Sequence, residues 1–526
     1  MKLLSPITQQ SARRWILLLF LGCTLATSLP LVTLAEDKPS APVTSSEAGR
    51  LFGMLGELLK FSSQETGLPV RNSVKHHLTS RKEVEVFLKK KLAEDQDAKR
   101  MQNSEIVLKK FGLLERDFDL KPFLLSLLTE EIEAYYDPKS RTINLLNWVD
   151  PEEQRPVLAH ELTHALQDQH TPLEPWMDQS LESTSRNASE DAEHLRRDEM
   201  DTAREAITEG QATAVMLDYI LKPMGKSLLQ NPEVGEAMSE QMNDAEDAPM
   251  MAKAPLLLSE SMLFPYREGL LFTQSLWADK GREAAFAGAL DRPPASTWEI
   301  FHPRDYENRR PVPLPMLPNI HPLVDPRYRP YDVGQMGQLD VHILSLLLGG
   351  EEAEQDLTPA WDGGLYWAGQ LRTAKTASEL TSTKSVAFFY LSAWKDEDSA
   401  QAFAKLWAST LTRKYTHVEP MEDASQTEDN EKLFNTSEVP VLIAQRGNHV
   451  FVAESFEAAQ AHQLASLLLD AQGSGEMETA GSTTPDTAPR ESLTAPLTRF
   501  FSGCGVTKSA VKAARRASRS EQTTRR

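Results

Sequence analysis

The densest chemistry in the chain lies in Val157-Leu-Ala-His160-Glu161-Leu-Thr-His164-Ala-Leu-Gln167. Histidines four residues apart on a helix differ by about 40° in azimuth and stand ~6 Å apart, so two imidazoles can share one ion. Glu161 points near the same open position, where a carboxylate can take a proton from a metal-bound water and pass it to a leaving amine. The chain has only two cysteines, Cys23 and Cys504, one near each end, so any metal must be held by histidines and carboxylates. A catalytic zinc needs three protein ligands and one open position, and the third is expected on another helix. Thr208-Glu209-Gly210-Gln-Ala-Thr213 offers Glu209, 209 − 164 = 45 residues after His164, with Glu205 one turn earlier on the same face. One of these two carboxylates is expected to bind the metal and the other to orient a histidine through its second ring nitrogen. Gly210 would let the two helices approach closely around the ion.

His160-Glu161-x-x-His164 followed by a helix bearing Glu209-Gly210-x-Ala resembles the gluzincin metallopeptidases, the group that includes thermolysin-like and alanyl-aminopeptidase-like enzymes, over roughly residues 130–305. The resemblance implies one Zn2+ per chain held by His160, His164 and Glu209, with Glu161 as the general base. It also implies a zincin-like fold in which an edge strand beside the active helix pairs with an extended peptide. Two departures bear on subtype. The 45-residue gap is longer than in compact members, and no motif for gripping a free N-terminus is present. Phe264-Pro-Tyr266-Arg-Glu-Gly269 and Pro293-Pro-Ala-Ser-Thr-Trp-Glu-Ile-Phe-His302-Pro303 look like downstream segments of exported bacterial proteins of this kind. Tyr266 and His302 are therefore the candidates for hydrogen-bonding the oxyanion of a tetrahedral intermediate, against the plainer expectation of a packed Tyr and a loop-capping His. Asp168, four residues after His164, is either an orienting group or a surface carboxylate.

These groups need elements to hold them. Ala134-Tyr-Tyr-Asp-Pro-Lys-Ser-Arg-Thr-Ile-Asn-Leu-Leu146 predicts two short strands joined by a turn at Asp137-Pro-Lys-Ser140. The motif helix follows, announced by Asp150 as N-cap, Pro151 at the first position and Glu153 at the third, and running to about Gln169; Pro156 predicts a kink or a later start. Three- and four-residue apolar spacing predicts helices over 47–61 and 81–92, and an Ala-rich run predicts another over 204–221. The polar, acidic run 231–247 reads as a mobile loop. From 336 onward helices and strands alternate on a small α+β scale. The expected organisation is an export segment at 1–35, a helical lead-in at 36–130 and a zincin-like metallopeptidase core at 131–308. A proline-rich connection at 309–331, a smaller α+β domain at 332–473 and a disordered tail at 474–526 complete it. The fold class is thus α+β.

Composition narrows the function. With 40% hydrophobic and 25% charged residues the 526-residue chain reads as a soluble globular protein. A net charge of −20 argues against nucleic acid as a partner, because phosphate neutralisation needs a basic face. Lys2, Arg13 and Arg14 precede the apolar run Trp15–Gly22, with small-residue cleavage contexts at Thr24-Leu-Ala26 and Thr33-Leu-Ala35, the layout of a secretory signal. Phe20-Leu-Gly-Cys23 adds a lipobox-like alternative in which a lipidated Cys23 anchors the chain to a membrane. Either way the expected location is extracytoplasmic. Eight Lys or Arg and one Glu from Arg499 onward read as a solvated tail, with contact to anionic envelope polymers as the alternative. There is no phosphate-binding glycine loop, no G-x-S-x-G elbow and no Cys-His nucleophile set. The leading expectation is an exported zinc metallopeptidase acting on a peptide or protein. The rival is a non-catalytic cell-envelope binding or assembly protein that keeps a zincin fold.

Overall fold

Asp137 makes the expected turn with its own side chain, accepting from the Lys139 N–H (3.1 Å) and the Ser140 hydroxyl (2.6 Å). The computed structural model describes residues 43–94, 96–177, 187–242, 248–421, 431–473, 477–478, 497, 500–501 and 505–523. The expected export segment with Cys23, and Cys504, lie outside the described residues, all of which belong to one compact unit, Ala41–Arg526. The mixed α+β architecture contains a small and a large sheet. No described helix is long and apolar enough to cross a membrane.

The first part holds helices α1 (Leu55–Thr66), α2 (Gln96–Phe111) and α3 (Leu120–Glu131), and a small sheet of β1 (Lys75–Thr79), β2 (Ala134–Asp137) and β3 (Thr142–Leu146). β2 and β3 form the expected hairpin, in register from Asp137↔Thr142 to Ala134↔Leu145, and β1 adds in parallel on the far side of β3. β2 is therefore an edge strand.

Helices α4 (Pro151–His170), α5 (Met200–Leu221), α6 (Glu233–Gln241) and α7 (Leu256–Lys280) follow. α4 begins as expected, the Asp150 side chain accepting from Glu152 N at 2.8 Å with Pro151 at N1. It runs through Pro156 to His170 as one helix. Pro156 has no N–H to give to Glu152 O four residues back, and that carbonyl accepts from Arg515 Nη2 at 3.3 Å instead. α4 and α5 are core helices: Val157, Leu158, Leu162, Ala203, Ile207 and Val215 have no exposed surface. The stretch expected as a mobile loop contains α6. Val234, Met238 and Met242, four residues apart, are buried beneath an otherwise acidic sequence, and that stripe decides the conformation.

The large sheet has seven antiparallel strands: β4 (Tyr328–Gln335), β5 (Trp361–Leu371), β6 (Val386–Trp394), β7 (Val418–Met421), β8 (Lys432–Thr436), β9 (Val441–Arg446) and β10 (His449–Glu454), in the order β4-β5-β6-β10-β9-β8-β7. Period-2 alternation along β6 sends Phe388 and Tyr390 to one face and Phe389 and Leu391 to the other. The second face packs on Leu314, Leu317 and Ile320 of the proline-rich connection and on α10 (Ala458–Ala471), and the first on α8 (Gln338–Leu357) and α9 (Glu397–Lys414). Phe111 at the end of α2 also enters that first face, its ring 4.7 Å from Phe388, 5.5 Å from Tyr366 and 6.0 Å from Trp407. Residues of the lead-in, the motif helices and the large sheet thus share one continuous hydrophobic core.

The largest departure from expectation is the C-terminus. Instead of a solvated tail, Lys508–Thr523 is helix α11, with Ala510, Val511, Ala514 and Ala517 buried and Val506 buried just ahead of it. Its apolar positions recur at helical spacing while Lys512, Arg515, Arg516 and Arg519 fall between them, so the basic composition belongs to one face only. Thr507 Oγ1 accepts from Ala510 N at 3.2 Å and Glu131 Oε2 from Ser509 N at 3.0 Å, satisfying two N–H groups of its first turn.

Candidate metal centre

α4 and α5 bring three side chains to one point. His160 Nε2 lies 3.0 Å from His164 Nε2 and 3.0 Å from Glu209 Oε2, and His164 Nε2 lies 3.5 Å from the same oxygen. Among the described residues these three are the one group of His, Cys, Asp and Glu whose ligand atoms converge in this way. Ligand atoms about 2.0–2.1 Å from one tetrahedral ion stand about 3.3 Å apart, so the observed triangle, with edges of 3.0, 3.0 and 3.5 Å, is close to what three ligands of a single small ion require. Glu205, one turn back on α5 and equally buried, is not part of the triangle.

The hydrogen bonds behind His164 set its tautomer. Gln211 Nε2 donates to the carbonyls of Ala285 (2.8 Å) and Phe286 (3.0 Å), which can only accept, so Gln211 Oε1 faces Gln167 Nε2 at 2.9 Å. Gln167 Nε2 also donates to Thr208 O, and Gln167 Oε1 is thereby turned to His164 Nδ1 at 2.9 Å. Nδ1 must then carry a hydrogen, which leaves Nε2 as the ligand atom. Asp168 does something else: it accepts from Tyr136 Oη (2.9 Å) and Leu173 N (2.9 Å), tying the end of α4 to the edge strand β2. Sequence reasoning passed over Gln167, although its three-residue spacing from His164 puts it on the ligand face.

Burial sets the electrostatics. His160 and Glu161 have no exposed surface, Glu209 has 2% and His164 7%. Burial by itself would raise Glu209, but His164 and hydrogen bonds from both imidazoles overcome it and hold the carboxyl at about 2. Burial disfavours charge on His164, yet the Glu209 carboxylate outweighs this and lifts the imidazole to about 9. A divalent cation entering here therefore competes with a proton. Glu161 is pushed up, burial outweighing the two histidines, and so stands ready to hold a proton. Its Oε2 has no hydrogen-bond partner among the described residues.

The remaining candidates separate. The Tyr266 ring lies 6.2 Å from that of His160, inclined to it by 27°. His302 packs on Trp298 with ring centroids 4.0 Å apart and the planes tilted by 33°, and makes no described hydrogen bond or ring contact with the triangle or with Tyr266. Gly210 does not face α4. A Cβ there would stand 2.1 Å from the carbonyl of Gly269 on α7, and one on Gly269 would stand 2.0 Å from Ala206 O, so the close approach it permits is between α5 and α7. That contact seats the Glu209 helix from behind. The chain matches no protein-family model, no curated protein and no solved structure.

Proposed function

We propose that the protein is a zinc-dependent peptidase of gluzincin type, exported by the leader at 1–35, and that the motif helices form its zincin-like core. The observation that carries this reading is the His160–His164–Glu209 triangle with Glu161 between its two histidines and Oε2 of that carboxylate unpartnered. A structural site would close the fourth position with another protein ligand, and among the described residues no fourth His, Cys, Asp or Glu joins the group. Two imidazoles and one carboxylate at tetrahedral spacing suit zinc.

When bound, zinc supplies Lewis acidity toward the peptide carbonyl. Glu161, held in a dry pocket with its pKa raised, takes a proton from the attacking water and delivers it to the leaving amide nitrogen. Tyr266 donates its hydroxyl toward the carbonyl oxygen as charge develops there, and is favoured over His302 because its ring lies beside His160. His164 keeps its ligand nitrogen facing inward through Gln167. The edge strand β2, tied to α4 through Tyr136 and Asp168, offers backbone groups to an extended peptide.

Glu161→Gln is the test. The expected outcome is one zinc per chain by elemental analysis, as in the wild type, with hydrolysis of an unfolded-protein substrate reduced at least 100-fold. Hydrolysis at the wild-type rate in Glu161→Gln would sink the mechanism, and a wild type that takes up no zinc would sink the metal assignment.

A further inference from the structure

Residues 505–507 reach the candidate centre from the far end of the chain. Thr507 pairs with Ile132 in an antiparallel bridge, and Glu133 N donates to Val506 O at 3.2 Å. This is backbone pairing along the entry to the edge strand β2. Gly505 lies against the next two residues: a Cβ on it would stand 1.9 Å from Ala134 O and 2.6 Å from Tyr135 Cβ, and its φ is +82°. Only glycine fits this position, both for space and for backbone conformation.

The peptide bond between Gly505 and Val506 is gripped at both ends. Tyr266 Oη donates to Gly505 O at 3.1 Å, and Val506 N donates to Glu161 Oε1 at 3.3 Å. Those are the two places that peptide hydrolysis must address: a donor at the carbonyl oxygen and a proton-carrying base at the amide nitrogen. The segment lies across Glu161 and Tyr266, beside a group in which His160, Glu161, His164 and Glu209 are all nearly fully buried. It is firmly held, with Val506 fully buried and the chain continuing directly into the capped helix α11.

We propose that the backbone leading into β2, Tyr266 and Glu161 form a binding site for an extended peptide strand whose built-in occupant is the chain's own Gly505–Val506–Thr507, so that the full-length protein is partly latent, because a substrate must first displace this segment. The term latent rests on the peptidase reading; the occupancy does not. Removing the C-terminus outright would also strip Phe500, Phe501 and Val511 from the core, so point substitutions are the cleaner probe. Gly505→Val cannot seat beside Ala134, and Val506→Pro deletes the N–H that Glu161 accepts.

Two readouts apply to wild type and both variants. Hydrogen exchange at the Glu133 amide, followed by mass spectrometry on the metal-free protein, reads the pairing itself, and is expected to be at least tenfold faster in the variants. Binding of a tripeptide hydroxamate to the zinc-loaded protein reads access to the site, and is expected to be at least tenfold tighter in the variants. Unchanged exchange in both variants overturns the occupancy. Faster exchange with unchanged hydroxamate affinity overturns the blocking role while leaving the peptidase reading intact. Failure of every form to bind zinc overturns latency together with the peptidase reading, and the exchange result then still decides the occupancy.

Discussion

Gly210→Ala tests whether the α5–α7 crossing positions Glu209, the candidate metal ligand beside it. On propensity alone the substitution should help, since alanine favours a helix interior over glycine by ~1 kcal/mol. The structure reverses the sign. The new Cβ would stand 2.1 Å from the Gly269 carbonyl, against 3.4 Å for ordinary contact, so the helices must part by about 3.4 − 2.1 = 1.3 Å at that point. Backbone cannot yield as a flexible side chain can. If α5 and α7 share the movement equally, Glu209, the adjacent residue, shifts by roughly 0.6 Å, against a tolerance of about 0.2 Å for a metal–ligand distance. The expected result is a loss of ~1–3 kcal/mol of stability in the metal-free protein and at least tenfold weaker zinc binding. Gly56→Ala, where nothing lies within 4 Å of the new Cβ, serves as the control and should leave both unchanged or slightly improved. Thermal unfolding of the apo chain and zinc competition against a chromophoric chelator give the two numbers. If Gly210→Ala matches Gly56→Ala in both, the crossing does not position Glu209.

Three further outcomes follow from the geometry. Gln167→Leu keeps the volume but removes the acceptor that fixes His164 Nδ1–H, and should weaken zinc binding 10- to 100-fold, or ~1.4–2.7 kcal/mol; unchanged affinity would refute the tautomer assignment. Phe111→Ala should cost ~3–5 kcal/mol and lower the unfolding of the motif helices and the large sheet together, in one transition. Loss of the sheet's tryptophan fluorescence with zinc still bound would show that the two halves are independent. Burial pushes Glu260 up, but the hydrogen bond with His342 and the Arg267 guanidinium hold it at about 2. A folded-state value below the unfolded one contributes stability that is complete above the unfolded value and is lost as pH falls from about 4.5 through about 2. Chemical denaturation between pH 6 and 2.5 should therefore show a steeper acid loss in wild type than in Glu260→Gln, by up to ~3 kcal/mol, and parallel curves would refute it.

The candidate ligand pair His160 and His164 and the carboxylate between them are legible in the sequence because they sit within one helical turn, where spacing alone fixes direction. The N-cap at Asp150, the hairpin at Asp137 and the alternating strands of the large sheet are legible for the same reason: each is a local rule acting over a few residues. Glu209 is legible only as one of two carboxylates on a face. Choosing it over Glu205 took the relative placement of α4 and α5, which composition does not encode. Gly210 suggests a close approach of α5 to α4 around the ion, whereas packing sets it against Gly269 of α7 instead.

The C-terminus marks the limit. Local composition from Arg499 onward is basic and poor in large apolar residues, which predicts solvation, and as an isolated segment it has too little apolar surface to offset its ordering entropy. Its small stripe of Ala and Val is enough only because α3, α5 and α6 already present a surface to cover, and because Thr507 and Glu131 satisfy its first N–H groups. What the sequence determined by itself is the chemistry available at the centre. Which carboxylate completes the triangle, how His164 is oriented and what lies across Glu161 were decided by contacts between residues 40 to 350 positions apart, and contacts of that range exist only once the chain has folded.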